Sequence, residues 1–245
     1  MADEAPGGLE RAFEDVETKK RWVNWLFDGM ASRYDLGNDL LSLGLHRLWK
    51  RRLLRELRLA PGQRVLDVAC GTGDITWAMS EIVAEAVGSD VSAPMLNLAE
   101  QRRPPGRPNV TFVENSADAL PFPDGHFDRV VCSYAARGLP DLGGFVTEAH
   151  RVLKPGGELW NLDFAKPPNP VVDVAWRGLL TVWGAILGAI LHQNPRIYVY
   201  IPVSIRHYAG QRWLEAKMRD VGFTAVACDE TTLGLMAYNH GRKAG

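Results

Sequence analysis

The chain is short of several things, and each shortage excludes something. Only three cysteines occur in 245 residues, Cys70, Cys132 and Cys228, and no two stand at C-x-x-C spacing. So odd and scattered a set argues against a disulfide framework and against zinc; no metal is expected, and the three read as buried thiols in a reducing compartment. Charge of one sign is lacking too. Lys and Arg total 28 against 29 Asp and Glu, so nothing draws the chain toward nucleic acid and no nucleic-acid partner is expected. The opening Met-Ala-Asp-Glu-Ala-Pro-Gly-Gly is acidic and not apolar, unlike a secretory leader, and a cytoplasmic location is expected. The most apolar run, Gly178 to Leu191, is 14 residues long, short of the roughly 20 that cross a bilayer. Internal repeats and low-complexity tracts are absent.

What is present is a strand, a glycine turn and a helix. Arg64 to Ala69 is apolar apart from Asp67, as in a strand covered on both faces, and it stops at Gly71-Thr72-Gly73 before a helical pattern from Ile75 to Glu81. Glycine lets a ligand approach the backbone closely, and the first amides of a helix are donors without intrahelical partners. A dinucleotide site would read G-x-G-x-x-G, but the third position here is Thr76. Ala84 to Asp90 reads as the second strand and ends on an acid, where a ribose diol is gripped in such folds. Two acids without the third glycine favour a nucleoside over a diphosphate, with Asp67, Gly71, Thr72, Gly73 and Asp90 as its candidate contacts.

The alternation continues. Ser92 to Arg102 is a helix with Ser92 at its N-cap and Pro94 in its first turn. Asn109 to Glu114 is a third strand, and Phe127 to Cys132 a fourth that delivers Ser133, Tyr134, Arg137 and Gly138 to the same rim. A helix at Phe145 to Leu153, a strand at Glu158 to Phe164, a helix at Gln211 to Val221 and strands at Phe223 to Asp229 and Leu233 to Asn239 complete the pattern. This predicts an α/β, Rossmann-like fold: a seven-stranded, mostly parallel sheet with helices on both faces and a C-terminal antiparallel hairpin. Residues 1–60, with helical patterns at Arg11 to Gly29 and Leu45 to Leu59, are expected to form a helical cap. Residues 61–245 form the main domain, interrupted by an apolar, lid-like insert at 166–200.

A strand carrying an acid followed by G-x-G resembles the first motif of the class I S-adenosylmethionine-dependent methyltransferases. A longer string sharpens the likeness. Tyr34-Asp35-x-x-Asn38-Asp39-x-x-Ser42-x-Gly44-x-His46-Arg47-x-Trp49-Lys50 resembles the signature of the C-methyltransferases of ubiquinone and menaquinone biosynthesis. Tyr198-Val-Tyr200 through Ser204-Ile205, and Gly234 with His240, Gly241 and Lys243, resemble later stretches of that family, so the likeness runs from about Trp25 to Lys243. It implies the class I methyltransferase fold, S-adenosyl-L-methionine as cofactor and a polyprenyl quinol as substrate. It also sets Ser116 and Ala117 against the adenine, with Ser133 at the same rim. The related enzymes carry Phe-Gly-x-Arg-Asn where this chain has Tyr134-Ala135-Ala136-Arg137-Gly138. The arginine is kept and the asparagine is not, so either a neighbouring side chain replaces it or the substrate differs.

The implied reaction is C-methylation of a polyprenylated hydroquinone, demethylmenaquinol first among them. A phenol titrates near pH 10 and a nearby cation lowers that value. Arg137 is therefore expected to stabilise a phenolate, Tyr34 to position the ring and His207 to accept the proton. Alternatives stand beside each reading. Arg137 could instead form a surface ion pair with Asp141, His46 and Trp49 stand evenly between a substrate role and closing the core, and the apolar run could be a core helix, an interfacial helix or a lid over a greasy ligand. A methyltransferase of a soluble metabolite and a cofactor-binding scaffold without turnover are the other functional readings. A peripheral contact with the inner face of the membrane and a homodimer are both left open.

Overall fold

The computed structural model describes residues 9, 13, 15–30 and 33–245, with the side chains of Asp28, Tyr34 and Asp35 excepted. Seven strands form one sheet: β1 (Arg64–Val68), β2 (Glu85–Asp90), β3 (Val110–Glu114), β4 (Phe127–Ser133), β5 (Leu153–Phe164), β6 (Phe223–Thr231) and β7 (Met236–Lys243), in the order β3-β2-β1-β4-β5-β7-β6. The first five are parallel, and β7 runs antiparallel to both β5 and β6. The fold is the expected one. Register brings the carboxyl ends level, with Val68 opposite Ser89 and Cys132, and Asp90 opposite Glu114. Ligands in open α/β sheets bind beyond that edge.

Nine helices flank the sheet among the described residues: α1 (Val16–Met30), α2 (Tyr34–Ser42), α3 (Leu45–Glu56), α4 (Asp74–Ser80), α5 (Ala93–Gln101), α6 (Leu142–Val152), α7 (Pro170–His192), α8 (Arg196–His207) and α9 (Gln211–Val221). Because successive strand residues point to opposite faces, neighbours feed two separate cores. Val65, Val131 and Leu162 join Trp22, Leu26, Tyr198 and Tyr200 on one face. Leu66, Val130 and Leu159 join Phe145, Leu214 and Met218 on the other. Each such side chain contributes about 1.5–3 kcal/mol when fully buried, so the N-terminal cap and the insert are held by the sheet's own core.

Several boundaries differ from expectation, each for a local reason. The signature segment after Arg33 contains a helix, α2, which the sequence does not announce because Leu36, Leu40 and Leu43 point outward. Ser92 does cap α5, accepting from the Met95 amide at 3.4 Å. Asp141 caps α6 through the Gly144 amide at 2.8 Å, so that helix starts three residues early and Asp141 is not Arg137's partner. β5 takes in Leu153 because Lys154 to Gly157 bulge out of register. The apolar run belongs to a much longer helix. Asn169 caps α7 through the Val171 and Val172 amides, Pro170 opens the first turn, and the 23-residue helix is long and apolar enough to cross a membrane by length and composition.

α7 turns back into α8 at very close range. A Cβ on Gly188 would lie 2.6 Å from the Asn194 carbonyl oxygen, and one on Gly184 3.1 Å from the Tyr198 Cβ. Close packing of backbone on backbone is what these glycines permit. Replacing Gly188 by Val gains roughly 0.4 kcal/mol of helix propensity and loses about 1–3 kcal/mol to overpacking. We expect Gly188→Val to lower the urea midpoint at unchanged slope; an unshifted midpoint would show that the hairpin yields.

Candidate active site

The carboxyl edge is built first by the turn after β1. The Gly71 amide donates to Asp90 Oδ2 at 2.8 Å and the Ser92 amide to Asp90 Oδ1 at 2.9 Å, so one carboxylate pins the glycine turn to the end of β2. Gly73 has φ 78° and a Cβ there would sit 2.9 Å from the Phe112 ring. The amides that the sequence offered to a ligand are in use: the Gly73 amide donates to the Cys70 carbonyl at 3.0 Å and the Ile75 amide to Asp74 Oδ1 at 2.9 Å. Carboxylates of Asp74 and Asp90 flank the turn where a diphosphate would need cations.

Asp67 sits beneath this turn and lines neither of the two cavities beside it. It is 1% exposed and accepts from the Thr76 hydroxyl at 2.6 Å, so the residue in place of the third glycine satisfies the strand's acid. Burial pushes the Asp67 carboxyl up to about 7, partly offset by that bond, and its other oxygen is buried without a hydrogen-bond partner.

Beside the turn lies a cavity of about 830 Å³. Of the expected cofactor contacts it gathers Gly71, Asp90, Ser116, Ala117 and Ser133, together with Arg137; Asp67, Thr72 and Gly73 do not line it. α1 closes it with Lys20, Val23, Asn24 and Phe27, and is tethered there by Lys19, whose ammonium donates to the Leu139 carbonyl at 2.6 Å. Two amide oxygens on its wall, Asn24 Oδ1 and Asn115 Oδ1, are buried without hydrogen-bond partners. Buried polar atoms of that kind belong to binding sites awaiting a polar ligand. A carboxylate offers about four acceptor positions, so pinning the turn does not exhaust Asp90. The donors and acceptors suit a nucleoside with an amino acid attached.

A second cavity, about 620 Å³, adjoins the first and shares Ala69, Gly71, Ser133, Tyr134 and Arg137 with it. Its outer wall is the inner side of α2 and α3, with Asn38, Leu41, Ser42, His46, Trp49 and Lys50. At the seam Ala69 (φ 54°) and Tyr134 (φ 60°) end their strands in the left-handed region. Such backbone strain costs about 1–3 kcal/mol and gathers at functional sites. The Tyr134 hydroxyl is buried with no hydrogen-bond partner, and burial raises its pKa well above the ordinary phenol value, so it stays a donor.

Arg137 departs from expectation. It is 6% exposed and its guanidinium pairs with Asp163 while donating to the Tyr134 carbonyl at 2.7 Å and to the Ser204 hydroxyl at 3.1 Å. Asp163 also accepts from the Arg137 amide at 3.0 Å and the Phe164 amide at 2.7 Å. The arginine lines both cavities, and its charge is balanced by Asp163. His207 is corrected outright. It is exposed at the end of α8, stacked on Phe13 at 4.9 Å, and lines neither cavity. The Tyr34 side chain lies outside the described residues.

The sequence missed Asn115 as a site residue, read Tyr134 only as part of the rim after β4, and left His46 evenly placed between closing the core and meeting substrate. His46 has a readable protonation state. The Ser42 hydroxyl donates to the Asn38 carbonyl at 2.7 Å, so its oxygen must accept from His46 Nδ1 at 2.7 Å. That leaves Nε2 as the basic nitrogen, with Asp39 Oδ1 3.7 Å away. Burial and the neighbouring Lys50 lower the His46 pKa below 6.5, so the ring is neutral at pH 7. At Gly138, where the related enzymes carry asparagine, a Cβ would lie 2.6 Å from the Tyr200 hydroxyl. Among the described residues, no cluster of three potential metal ligands occurs.

Comparison with known proteins agrees with this geometry. Residues 14–243 match the model of the ubiE/COQ5 methyltransferase family. A ubiquinone/menaquinone biosynthesis C-methyltransferase UbiE from Shewanella piezotolerans is 34% identical over 99% of this chain and all of its own length. The protein of that name from Ectopseudomonas mendocina is 38% identical over 94% of this chain and 93% of its own. Among solved structures, an S-adenosylmethionine-dependent methyltransferase from Aquifex aeolicus superposes with a TM-score of 0.57 at 20% identity, covering 79% of this chain and 88% of its own. A Haemonchus contortus phosphoethanolamine N-methyltransferase solved with S-adenosylhomocysteine gives 0.59 at 16% identity, over 80% of this chain and 52% of its own; these two speak to the fold alone. With glycine turn, strand-end acid and full-length relatives in agreement, the chain belongs to the ubiE/COQ5 methyltransferase family and is an S-adenosylmethionine-dependent methyltransferase.

Proposed function

We propose that the enzyme methylates a ring carbon of a polyprenylated hydroquinone, with demethylmenaquinol the favoured acceptor, at the inner face of the membrane. The observation that carries this reading is the second cavity. Leu41, Trp49, Phe164 and Ile201 give it walls for a flat apolar ring, while Tyr134, His46 and Lys50 offer polar groups to ring oxygens. It meets the nucleoside cavity along five shared residues, so the two ligands would touch only at the seam.

S-adenosylmethionine, when bound, supplies an electrophilic methyl group; Asp90 is suited to its ribose, Ser116, Ala117 and Asn115 to the base, and Gly71 and Ser133 to the rest. The chain's own work is to make the acceptor carbon nucleophilic and to exclude water. Removing a phenol proton pushes electron density onto the adjacent ring carbon; after methylation that carbon sheds its own hydrogen as a proton and the ring hydroxyl is restored, so one proton is released for each methyl transferred. His46 Nε2 is placed to take the phenol proton, since Nδ1 is committed to Ser42. Asp39 then faces the resulting imidazolium. The Tyr134 hydroxyl, held protonated, donates to a ring oxygen and favours its anionic form. Arg137 and Asp163 position Tyr134 through its carbonyl.

The direct test uses labelled S-adenosylmethionine with demethylmenaquinol in detergent, and in parallel a water-soluble phenol. Label on the quinol ring is expected; transfer only to the soluble phenol would overturn the reading. Replacing Asp90 by Ala removes charged acceptors worth about 1.5–3 kcal/mol per hydrogen bond and frees the glycine turn. Calorimetry should show cofactor affinity falling by about 100-fold or more, and an unchanged Kd would remove Asp90 from the ribose. Because His46 titrates below 6.5, its base form dominates at neutral pH, and kcat/KM should be flat there and fall as pH drops through the lowered value. His46→Asn should slow transfer by about 10²–10⁴-fold and abolish that acid limb; a limb that survives would assign the proton elsewhere.

A further inference from the structure

The outer face of α7 has no cover. Val171, Val174, Leu179, Val182, Ile186 and Ile190 are between 45% and 74% exposed and recur on one side of the helix, a stripe of roughly 30 Å. The opposite side, Leu180, Gly184, Leu187 and Gly188, is buried against the rest of the fold. α2 lies antiparallel beside α7: Arg33 donates to the Leu191 carbonyl near one end, and Trp183 donates to the Leu40 carbonyl at 3.2 Å nearer the middle. α2 adds its own exposed row, Leu36, Leu40 and Leu43, the last 79% exposed. Monomeric proteins rarely leave so long an apolar surface to water.

Charge surrounds this surface unevenly. On α3, Leu48 is followed along the same side by Arg51 and Arg55, both exposed, and Arg196 stands just beyond the end of α7. The acids with described side chains on α2, α3 and α7 are each matched to an arginine: Asp39 to Arg47, Glu56 to Arg52 and Asp173 to Arg177. With Asp35 counted as well, α2, α3 and α7 carry six Lys and Arg against four Asp and Glu, so the surroundings are net basic. An apolar helix face bordered by arginines fits an anionic lipid surface, with the helix lying in the interface plane.

We infer that α7 and α2 form a docking face for an anionic phospholipid bilayer, on which the enzyme lies with α7 parallel to the surface. One face of α7 is held by α8, so the helix lies on the membrane and does not cross it. The other side of the α2–α3 corner lines the second cavity through Asn38, Leu41, Ser42, His46 and Trp49. Docking thus brings the acceptor cavity against the lipid. That last step rests on the quinol reading; the docking itself rests on the exposed apolar stripe and its basic rim.

The test is flotation of the full chain with vesicles of phosphatidylcholine, with and without phosphatidylglycerol, followed by turnover on a short-chain, water-dispersed quinol. Flotation is expected with the phosphatidylglycerol vesicles and should weaken with salt. Val182→Asp, combined with Leu179→Asp, should cut partitioning by about tenfold or more while leaving the melting temperature and short-chain turnover unchanged. Arg51→Glu with Arg55→Glu should remove only the part that depends on phosphatidylglycerol. Wild-type flotation no better than that of the aspartate variant overturns the proposal. So does a stable dimer that the aspartate variant dissociates and that binds no vesicles, which would give the stripe to a second copy of the chain. Vesicle binding without short-chain turnover would leave the docking face standing and count against the quinol.

Discussion

The site depends on one buried ion pair. Arg137 and Asp163 join the loop after β4 to the end of β5, and through Ser204 to α8. Burying two charges is costly and is offset only where the remaining donors and acceptors are satisfied, as they are here by the Tyr134 carbonyl and the Arg137 and Phe164 amides. Breaking such a pair by removing one partner costs about 3–5 kcal/mol. The same pair meets the Tyr134 carbonyl, at the residue held in the left-handed region, so one interaction ties the seam between the cavities to β5 and α8.

Around that pair the helices divide the work. α1 covers the cavity at the nucleoside end and is tethered through Lys19 to the loop at Leu139. α2 and α3 cover the adjoining cavity. α8 supplies Tyr200 to the first cavity and Ile201 to the second. Both covers come from outside the strand-helix alternation, from the segments before β1 and after β5.

The parts legible in the sequence were those set by near neighbours. Apolar runs ending in glycine or an acid located β1 and β2, and Ser92 located the start of α5. The parts that were not legible depend on distant partners or on helical faces. Asp163 lies 26 residues from Arg137, and nothing in the local pattern around Arg137 names it, which is why the arginine read as an available cation. His207 looked basic and close to the family's stretch, yet the buried side of α8 is claimed by Tyr198, Tyr200, Ile201 and Ser204, leaving it outside. α2 was hidden because two of its three leucines, Leu36 and Leu40, face outward against the usual pattern. The tautomer of His46 follows from a hydroxyl bond four residues back, which only coordinates reveal.

The hydroxyl of Tyr200 stands where a side chain on residue 138 would begin, and this ties two positions 62 residues apart into one epistatic unit. An asparagine placed at Gly138 alone would meet that ring. In this chain the loop after β4 and the aromatic on α8 therefore share one volume, and a larger residue at 138 needs either a turned Tyr200 ring or a shifted α8.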